Sequence, residues 1–487
     1  MYIRTIVSLL LGVFTTRILL EALGESDFGL YNVVGGSISM LGFLSASMSS
    51  ATQRFLSVAE GEGNKAKIKL YFNNSLIIHW ALAGIMIVVF SIAGIFFFNG
   101  ILNIPNGKFY DALIVYGCLL VSTVFSITVV PYEAEINAHE NMLFFSIVGI
   151  IDVVLKFSIA FAVLYFNSDK LIFYAILMAA ESFLSRYLCQ SYCRHNYEEC
   201  QHINLRKSFN RTIIHRMTSF AGWNLFNVAT GMISLYGTNV VVNHYFGTNV
   251  NAAVGIATQL SGVLMGISAN MIKAVSPVIM KSEGGNQHDK MLEYSYSSCK
   301  FSYLIFLVCC IPILFFIHPL LELWLTEVPQ WTTTFCIILI ISTLLDQLTV
   351  VLYQSIMAGG DIKNYNIARS ISNILPIVIS ILMFQYGGYQ PYWALINWGI
   401  FKSIFGGSLN LYFSYIKLRL SIKIYACKVV IPLLLLTIST VMVFWIASQL
   451  CFTWIWAIVV GVLMSLPLYW GIGLSKAERL QILSLIH

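Results

Sequence analysis

The chain has 487 residues, of which 58% are hydrophobic and only 10% charged, and its mean hydropathy is +0.79. A soluble surface needs about a quarter charged residues, so a soluble globular protein is excluded and an all-α polytopic membrane protein is indicated. The formal net charge of +6 falls in short loops between apolar runs and calls for no nucleic-acid partner; basic inner loops suit membrane insertion and contact with anionic membrane lipids.

About 14 apolar runs can be counted, each long enough to cross a hydrocarbon core of ~30 Å at 1.5 Å per residue. The first two run from Ile3 to Gly24 and from Phe28 to Thr52. The first is too long for a cleavable signal, has hardly any basic n-region and leads straight into another apolar helix. Four more follow near 74–98, 112–132, 143–166 and 171–193. A polar stretch, RHNYEECQHINLRKSFNRTIIHR, then separates two bundles. The next six spans lie near 217–243, 252–275, 297–320, 331–357, 366–386 and 390–416, and two last ones near 424–446 and 451–473. The domains expected are therefore an N-terminal six-helix lobe at 1–193, a cytoplasmic linker at 194–216, a C-terminal six-helix lobe at 217–416, and two extra helices with a short tail at 417–487.

With the N-terminus inside, the inner loops hold Lys65, Lys67, Lys69, Arg194, Arg206, Lys207, Arg211, Arg216, Lys281, Lys290, Lys363, Lys417, Arg419 and Lys423, against Lys108 and Lys170 outside. That asymmetry orients the array with both termini cytoplasmic and favours an even number of spans. The ten cysteines show no ligand spacing and read as small apolar packing residues. His79, His139, His244 and His318 are scattered at span ends. No metal centre is expected from them.

A repeat carries more. TRILLEALGESDFGLYNVVGGSISMLGFLSASMSSATQRFLSVAEGEGN, from Thr16, parallels TNVVVNHYFGTNVNAAVGIATQLSGVLMGISANMIKAVSPVIMKSEGGN, from Thr238. In each, a span ends at a glycine, Gly24 or Gly247, and a serine- and glycine-rich span returns to an acidic-glycine turn closing at Asn64 or Asn286. Six spans separate the copies, so the repeat is parallel, and two such lobes would enclose a central cavity that opens to alternate sides.

TRILL, LGESDFGLYNVVGG, SMSSATQRFL and EGEGN together resemble the polysaccharide-transporter branch of the multidrug/oligosaccharidyl-lipid/polysaccharide exporter superfamily, and within it the O-antigen and capsule repeat-unit flippases. The resemblance covers nearly the whole chain, including the helix count, and is sharpest in the first 65 residues. It implies alternating-access translocation of an undecaprenyl-diphosphate-linked oligosaccharide across a bacterial cytoplasmic membrane, with glycan polymerase and chain-length machinery as partners. Members often carry a basic or amphipathic segment before the first span. Here Met1-Tyr2-Ile3-Arg4 leads almost directly into it, which leaves room for a truncated or misassigned start.

An anionic headgroup would need cations inside the bundle. Arg17 lies two thirds of the way along the first span, where its insertion costs at least ~2.5 kcal/mol. Lys156 and Lys402 lie mid-span, and Arg54 follows the hydroxyl-rich LSASMSSATQ. These four are the substrate-binding candidates. Each has a plainer reading: Arg17 and Glu21, like Asp152 and Lys156, are four residues apart and suit helix-internal ion pairs, and Arg54 and Arg186 suit membrane-interface anchoring. No GxxxxGK[ST] occurs, so ATP hydrolysis within the chain is not expected. Coupling to H⁺ or Na⁺ would fall to Asp152 and Glu181, at similar depth in antiparallel spans, and to Asp346. No other cofactor is expected.

Two transport alternatives stand beside the flippase: a multidrug or cation antiporter of the same superfamily, and a lipid II flippase. A glycan polymerase or ligase is disfavoured because the longest outer loop is only about a dozen residues, too short for the catalytic loop such enzymes expose. The chain is thus read as a transporter, not an enzyme.

Overall fold

The computed structural model describes residues 2–39, 42–101, 107–201, 203, 208–325, 327–450, 453–476 and 478–480. Arg206, Lys207 and the expected tail at 481–487 lie outside them. Among the described residues every regular element is helical. Nine helices among the described residues are long and apolar enough to cross a membrane, or ten when one bent pair counts as a single span.

The difference from the larger expected number lies partly in how spans join. Helix α7 (Arg211–Gly284) carries two predicted spans in one 74-residue run that kinks at Gly247, with φ 81° and ψ −178°. Helix α1 (Tyr2–Ser39) kinks in the same way at Gly24, with φ 75° and ψ 168°. That backbone region is essentially closed to any residue with a Cβ. The repeat in the sequence thus marks two equivalent glycine corners. The second predicted span divides between the end of α1 and α2 (Gly42–Gly61).

The chain forms two compact units. The first comprises residues 1–225 with 280–286 and the second 226–279 with 287–487. In the first, α3 (Lys65–Phe96), α4 (Phe109–Ala138), α5 (Met142–Leu164) and α6 (Lys170–Asn196) pack with α1 and α2. Val34, Phe90, Val115 and Ile127 are buried together. Tyr116 joins them by donating its hydroxyl to the Phe90 carbonyl at 2.7 Å, and a Cβ at Gly94 would approach its ring to 2.9 Å. Small residues that admit a bulky neighbour are how membrane helices gain contact where lipid removes the usual hydrophobic drive.

In the second unit, α8 (His288–Phe315), the short α9 (Ile317–Trp324), α10 (Thr332–Gln347), α11 (Leu352–Gly359), α12 (Lys363–Gly387), α13 (Tyr392–Gly399) and α14 (Gly406–Leu418) follow α7. A four-residue turn, α15 (Ile422–Tyr425), then leads into α16 (Ile431–Leu450) and α17 (Trp454–Leu468). Hydroxyls and amides connect these helices. Ser268 and Ser302 both donate to Gln347 Oε1 at 2.7 Å, and Tyr365 donates to Asn410 Oδ1 at 2.7 Å. The Lys300 ammonium meets Glu478 at 2.6 Å with both side chains largely buried, tying the C-terminal segment to α8.

Candidate functional site

The second unit contains a cavity of about 470 Å³. Three backbone irregularities build its charged wall. Helix α10 ends one residue after Asp346, and the chain bends by 48° before α11; a broken helix is where a membrane protein can present polar groups at depth. Lys402 lies on a π-helical segment, Ile400–Phe405, between α13 and α14. Such one-turn bulges change which way a side chain points and cluster at functional sites. Arg369 and Asn373 lie one turn apart on α12, ahead of Pro376, and all three line the cavity. The facing wall comes from both halves of α7, where Asn227, Gly231, Thr258 and Ser261 leave space that larger residues would fill.

Lys402 Nζ stands 4.0 Å from Asp346 Oδ2, 4.8 Å from the centre of the Trp398 ring and 3.7 Å from Met265 Sδ. The Asp346 contact is a loose ion pair, at the outer limit of direct charge contact. Arg369 Nη1 is buried without a hydrogen-bond partner among the described residues, and a Cβ on Gly406 would fall on its guanidinium. Asn373 donates to Asn227 Oδ1 and to Thr230 Oγ1 at 3.3 Å, which fixes the α12 wall against α7. The formal charge of the cavity lining is one carboxylate against two cations. Sequence reading found Asp346 and Lys402 separately and missed Arg369, Asn373 and Asn227. The available signal was the Arg369-x-x-x-Asn373 spacing, which puts both on one helix face.

In the first unit, Lys156 on α5 reaches Glu181 on α6 at 3.4 Å; the glutamate is buried and the lysine side chain 44% exposed. Asp152 is one turn before Lys156, and its Oδ1 is buried without a hydrogen bond among the described residues. The three residues thus group together. Arg186 lies over Trp80 at 5.0 Å. Arg54 lies over Phe55 and Phe220 at 4.7 and 5.2 Å. Arg17 and Glu21 are exposed on α1, and among the described residues no ion pair joins them.

A second polar group lies where α4 ends. His139 Nε2 is 2.6 Å from Glu199 Oε1 and 3.4 Å from Glu135 Oε1, and Nδ1 is 3.5 Å from Glu60 Oε1. Burial alone would lower the imidazole pKa, but the facing Glu135 carboxylate and the hydrogen bond to Glu199 outweigh that and hold it at about 10. Glu199 is lowered to about 2, because the hydrogen bond to His139 overcomes the opposing effect of burial.

The MatE family model matches residues 222–382, the stretch that contains Asn227, Asp346 and Arg369. No curated protein matches the chain. Solved structures of the same fold do. A MATE transporter in its straight conformation aligns with TM-score 0.73 and 12% identity, over 86% of this chain and 94% of its own. A MATE transporter variant from Vibrio cholerae gives 0.70 and 16%, over 85% and 94%. A transporter of the multidrug/oligosaccharidyl-lipid/polysaccharide superfamily from Pyrococcus furiosus, described as having a binding pocket of reverse polarity, gives 0.69 and 15%, over 86% and 95%. The chain therefore has the MATE transporter fold and is a multi-pass membrane protein.

These findings correct the resemblance to the polysaccharide-transporter branch and its O-antigen flippases. The family match is to MatE and the structural neighbours are MATE transporters, so the oligosaccharide-flipping role is withdrawn. The physical reason lies in what the resembling motifs encode. LGESDFGLYNVVGG surrounds the Gly24 corner, and SMSSATQRFL supplies a helix of small residues; both describe the shared scaffold. Two of the cations assigned to a diphosphate, Lys156 and Lys402, face carboxylates instead.

Proposed function

We propose that the chain is a secondary-active multidrug-type antiporter, which exports amphipathic organic solutes from the second-unit cavity in exchange for H⁺ or Na⁺. The observation that carries the reading is Asp346: a carboxylate at a helix break, inside the stretch matched by MatE, lining a cavity and paired only loosely at 4.0 Å. Residues at the broken ends of membrane helices are suited to binding a small cation, because freed carbonyls and a carboxylate converge there. The aromatic Trp398 and the methionine Met265 beside Lys402 offer an adaptable apolar surface to the solute. In this reading a coupling cation and Lys402 compete for Asp346, and release of one admits the other. The basic loops support an orientation with both termini on the cytoplasmic side.

One observation favours a second reading of the solute. Cations outnumber acids in this cavity, and the Pyrococcus furiosus neighbour is described as having a pocket of reverse polarity. An anionic or zwitterionic solute would suit such a lining. The test is transport by the purified protein in liposomes with an imposed pH or Na⁺ gradient, using a fluorescent amphipathic cation and a fluorescent amphipathic anion. Wild type should move one of them in proportion to the gradient, and Asp346→Asn should lose the gradient dependence. Equal gradient response in Asp346→Asn would overturn the role of Asp346, and movement of neither probe would overturn the antiporter.

A further inference from the structure

The cluster at the end of α4 has no part in that transport reading, and its geometry is that of a ligand set. Glu135 and His139 are one turn apart at the C-terminus of α4, and Glu199 comes from the 3₁₀ turn Glu198–Cys200. One donor atom from each lies within 4.8 Å of the others. Glu135 is fully buried, and neither of its carboxylate oxygens has a hydrogen-bond partner among the described residues, although Oε1 faces the imidazole at 3.4 Å. The imidazole beside it is shared with Glu199 and Glu60, and a buried carboxylate with no hydrogen bond and only a shared cation is costly to keep.

The imidazole is held as a metal ligand usually is. Its Nδ1 faces the Glu60 carboxylate at 3.5 Å, an outer-shell partner that would keep the proton on Nδ1 once Nε2 turns to a metal. The Tyr197 ring stacks on it at 4.1 Å with planes 11° apart, so the ring cannot swing away. The loop behind is short and rigid: Glu140 takes φ 58°, and Asn141 caps α5 by accepting from the Phe144 amide. Three carboxylates face this one imidazole, and the nearby Lys281 is shared between Glu60 at 3.8 Å and Glu140 at 3.3 Å. One imidazole and one shared lysine do not match three carboxylates, and a metal taking the Nε2 position would displace the proton that the imidazole now shares with Glu199.

We propose that Glu135, His139 and Glu199 bind one divalent transition-metal cation of the zinc or manganese class, through one oxygen of each glutamate and Nε2 of the histidine. Mixed carboxylate and imidazole donors suit these ions. Donors about 2.1 Å from a metal stand about 3.0 Å apart at right angles, so the 2.6 Å contact between His139 and Glu199 must open by about 0.4 Å, which side-chain rotation can supply. The metal would clamp the end of α4 to the 198–200 turn, and through Glu60 it would fix the end of α2.

The test uses the full chain, purified in detergent and stripped with a chelator, then titrated with Mn²⁺ and Zn²⁺. Calorimetry should give one Mn²⁺ site, and Mn²⁺ is the cleaner probe because the thiols Cys193 and Cys200 nearby bind it poorly. His139→Ala and Glu199→Gln should each weaken binding at least about tenfold, as loss of even outer-shell partners does at such sites. Metal should also raise the thermal midpoint of wild type and leave that of both variants unmoved. Glu199→Gln keeps shape and volume, so it remains informative where His139→Ala folds poorly. Absence of binding by wild type at 100-fold excess metal, or equal binding by wild type and Glu199→Gln, would overturn the proposal.

Discussion

Two substitutions in the second-unit cavity decide the sign of the solute's charge. A sphere of 470 Å³ has a radius of about 5 Å, so a unit charge bound at its centre interacts with Asp346 by about 3 kcal/mol at an effective dielectric of about 20. Replacing Asp346 by Asn removes that attraction, leaves Lys402 and Arg369 in place, and should weaken binding of a monovalent organic cation by about 100-fold, or about tenfold where water in the cavity screens the charges. Lys402→Met removes a repulsion of similar size and should tighten the same ligand. For an anion both signs reverse. The assay is equilibrium binding of a fluorescent cation and a fluorescent anion to purified protein, with thermal unfolding as a check on folding. Opposite shifts in the two variants identify charge complementarity as the selecting force. Shifts in the same direction, or changes under twofold in both, would refute the reasoning, because neither follows from a charge facing the bound solute.

Gly247→Ala should destabilise the protein by about 1–3 kcal/mol even though nothing lies within 4 Å of the added Cβ, because the cost is conformational; Gly12→Ala, equally open but helical, is the control in the same thermal melt. Lys300→Met should cost about 3 kcal/mol by stranding the Glu478 carboxylate, and adding Glu478→Gln should recover most of it. Burial would raise the Glu478 pKa, but the Lys300 and Ser475 hydrogen bonds lower it, so the stability they contribute is present above the ordinary carboxylate range and lost as pH falls toward the lowered value; thermal midpoints taken from pH 7 down to pH 3.5 should drop more in wild type than in the double variant. Lys156 and Glu181 should couple by no more than about 1 kcal/mol in a double-mutant cycle, since the lysine is 44% exposed and screened. Glu181→Gln should retain gradient-driven transport, and its loss would move coupling from Asp346 to the first unit.

The glycine corners were legible because their signal is local: Gly24 and Gly247 each end an apolar run before a short turn, and the backbone there admits no other residue. Composition and the basic loops were legible for the same reason, each being a sum over nearby positions. Arg369 was not. Three residues into its span, it reads as an interfacial anchor, and only the packing of α12 against α7 and α14 places it on a cavity wall beside Lys402. His139 was read as a span-end histidine. Its partners Glu60 and Glu199 lie 79 positions before and 60 after it, a separation at which no spacing rule operates.

A charge placed in an apolar helix must be paired or hydrated, and how tightly it is paired separates structural charges from exchangeable ones. At an effective dielectric of about 20, the 2.6 Å contact of Lys300 with Glu478 corresponds to about 6 kcal/mol of attraction, and the 4.0 Å contact of Lys402 with Asp346 to about 4. Both figures precede desolvation, which takes back most of either. What matters is the difference, and the geometry behind it: Glu478 also accepts the Ser475 amide at 2.7 Å, whereas Asp346 opens on a cavity where water, a cation or a solute can take the place of Lys402. Arg17 is exposed with no ion pair among the described residues. Of the three, only the Asp346 pair combines a real attraction with an accessible replacement, which is the condition for exchanging one bound cation for another.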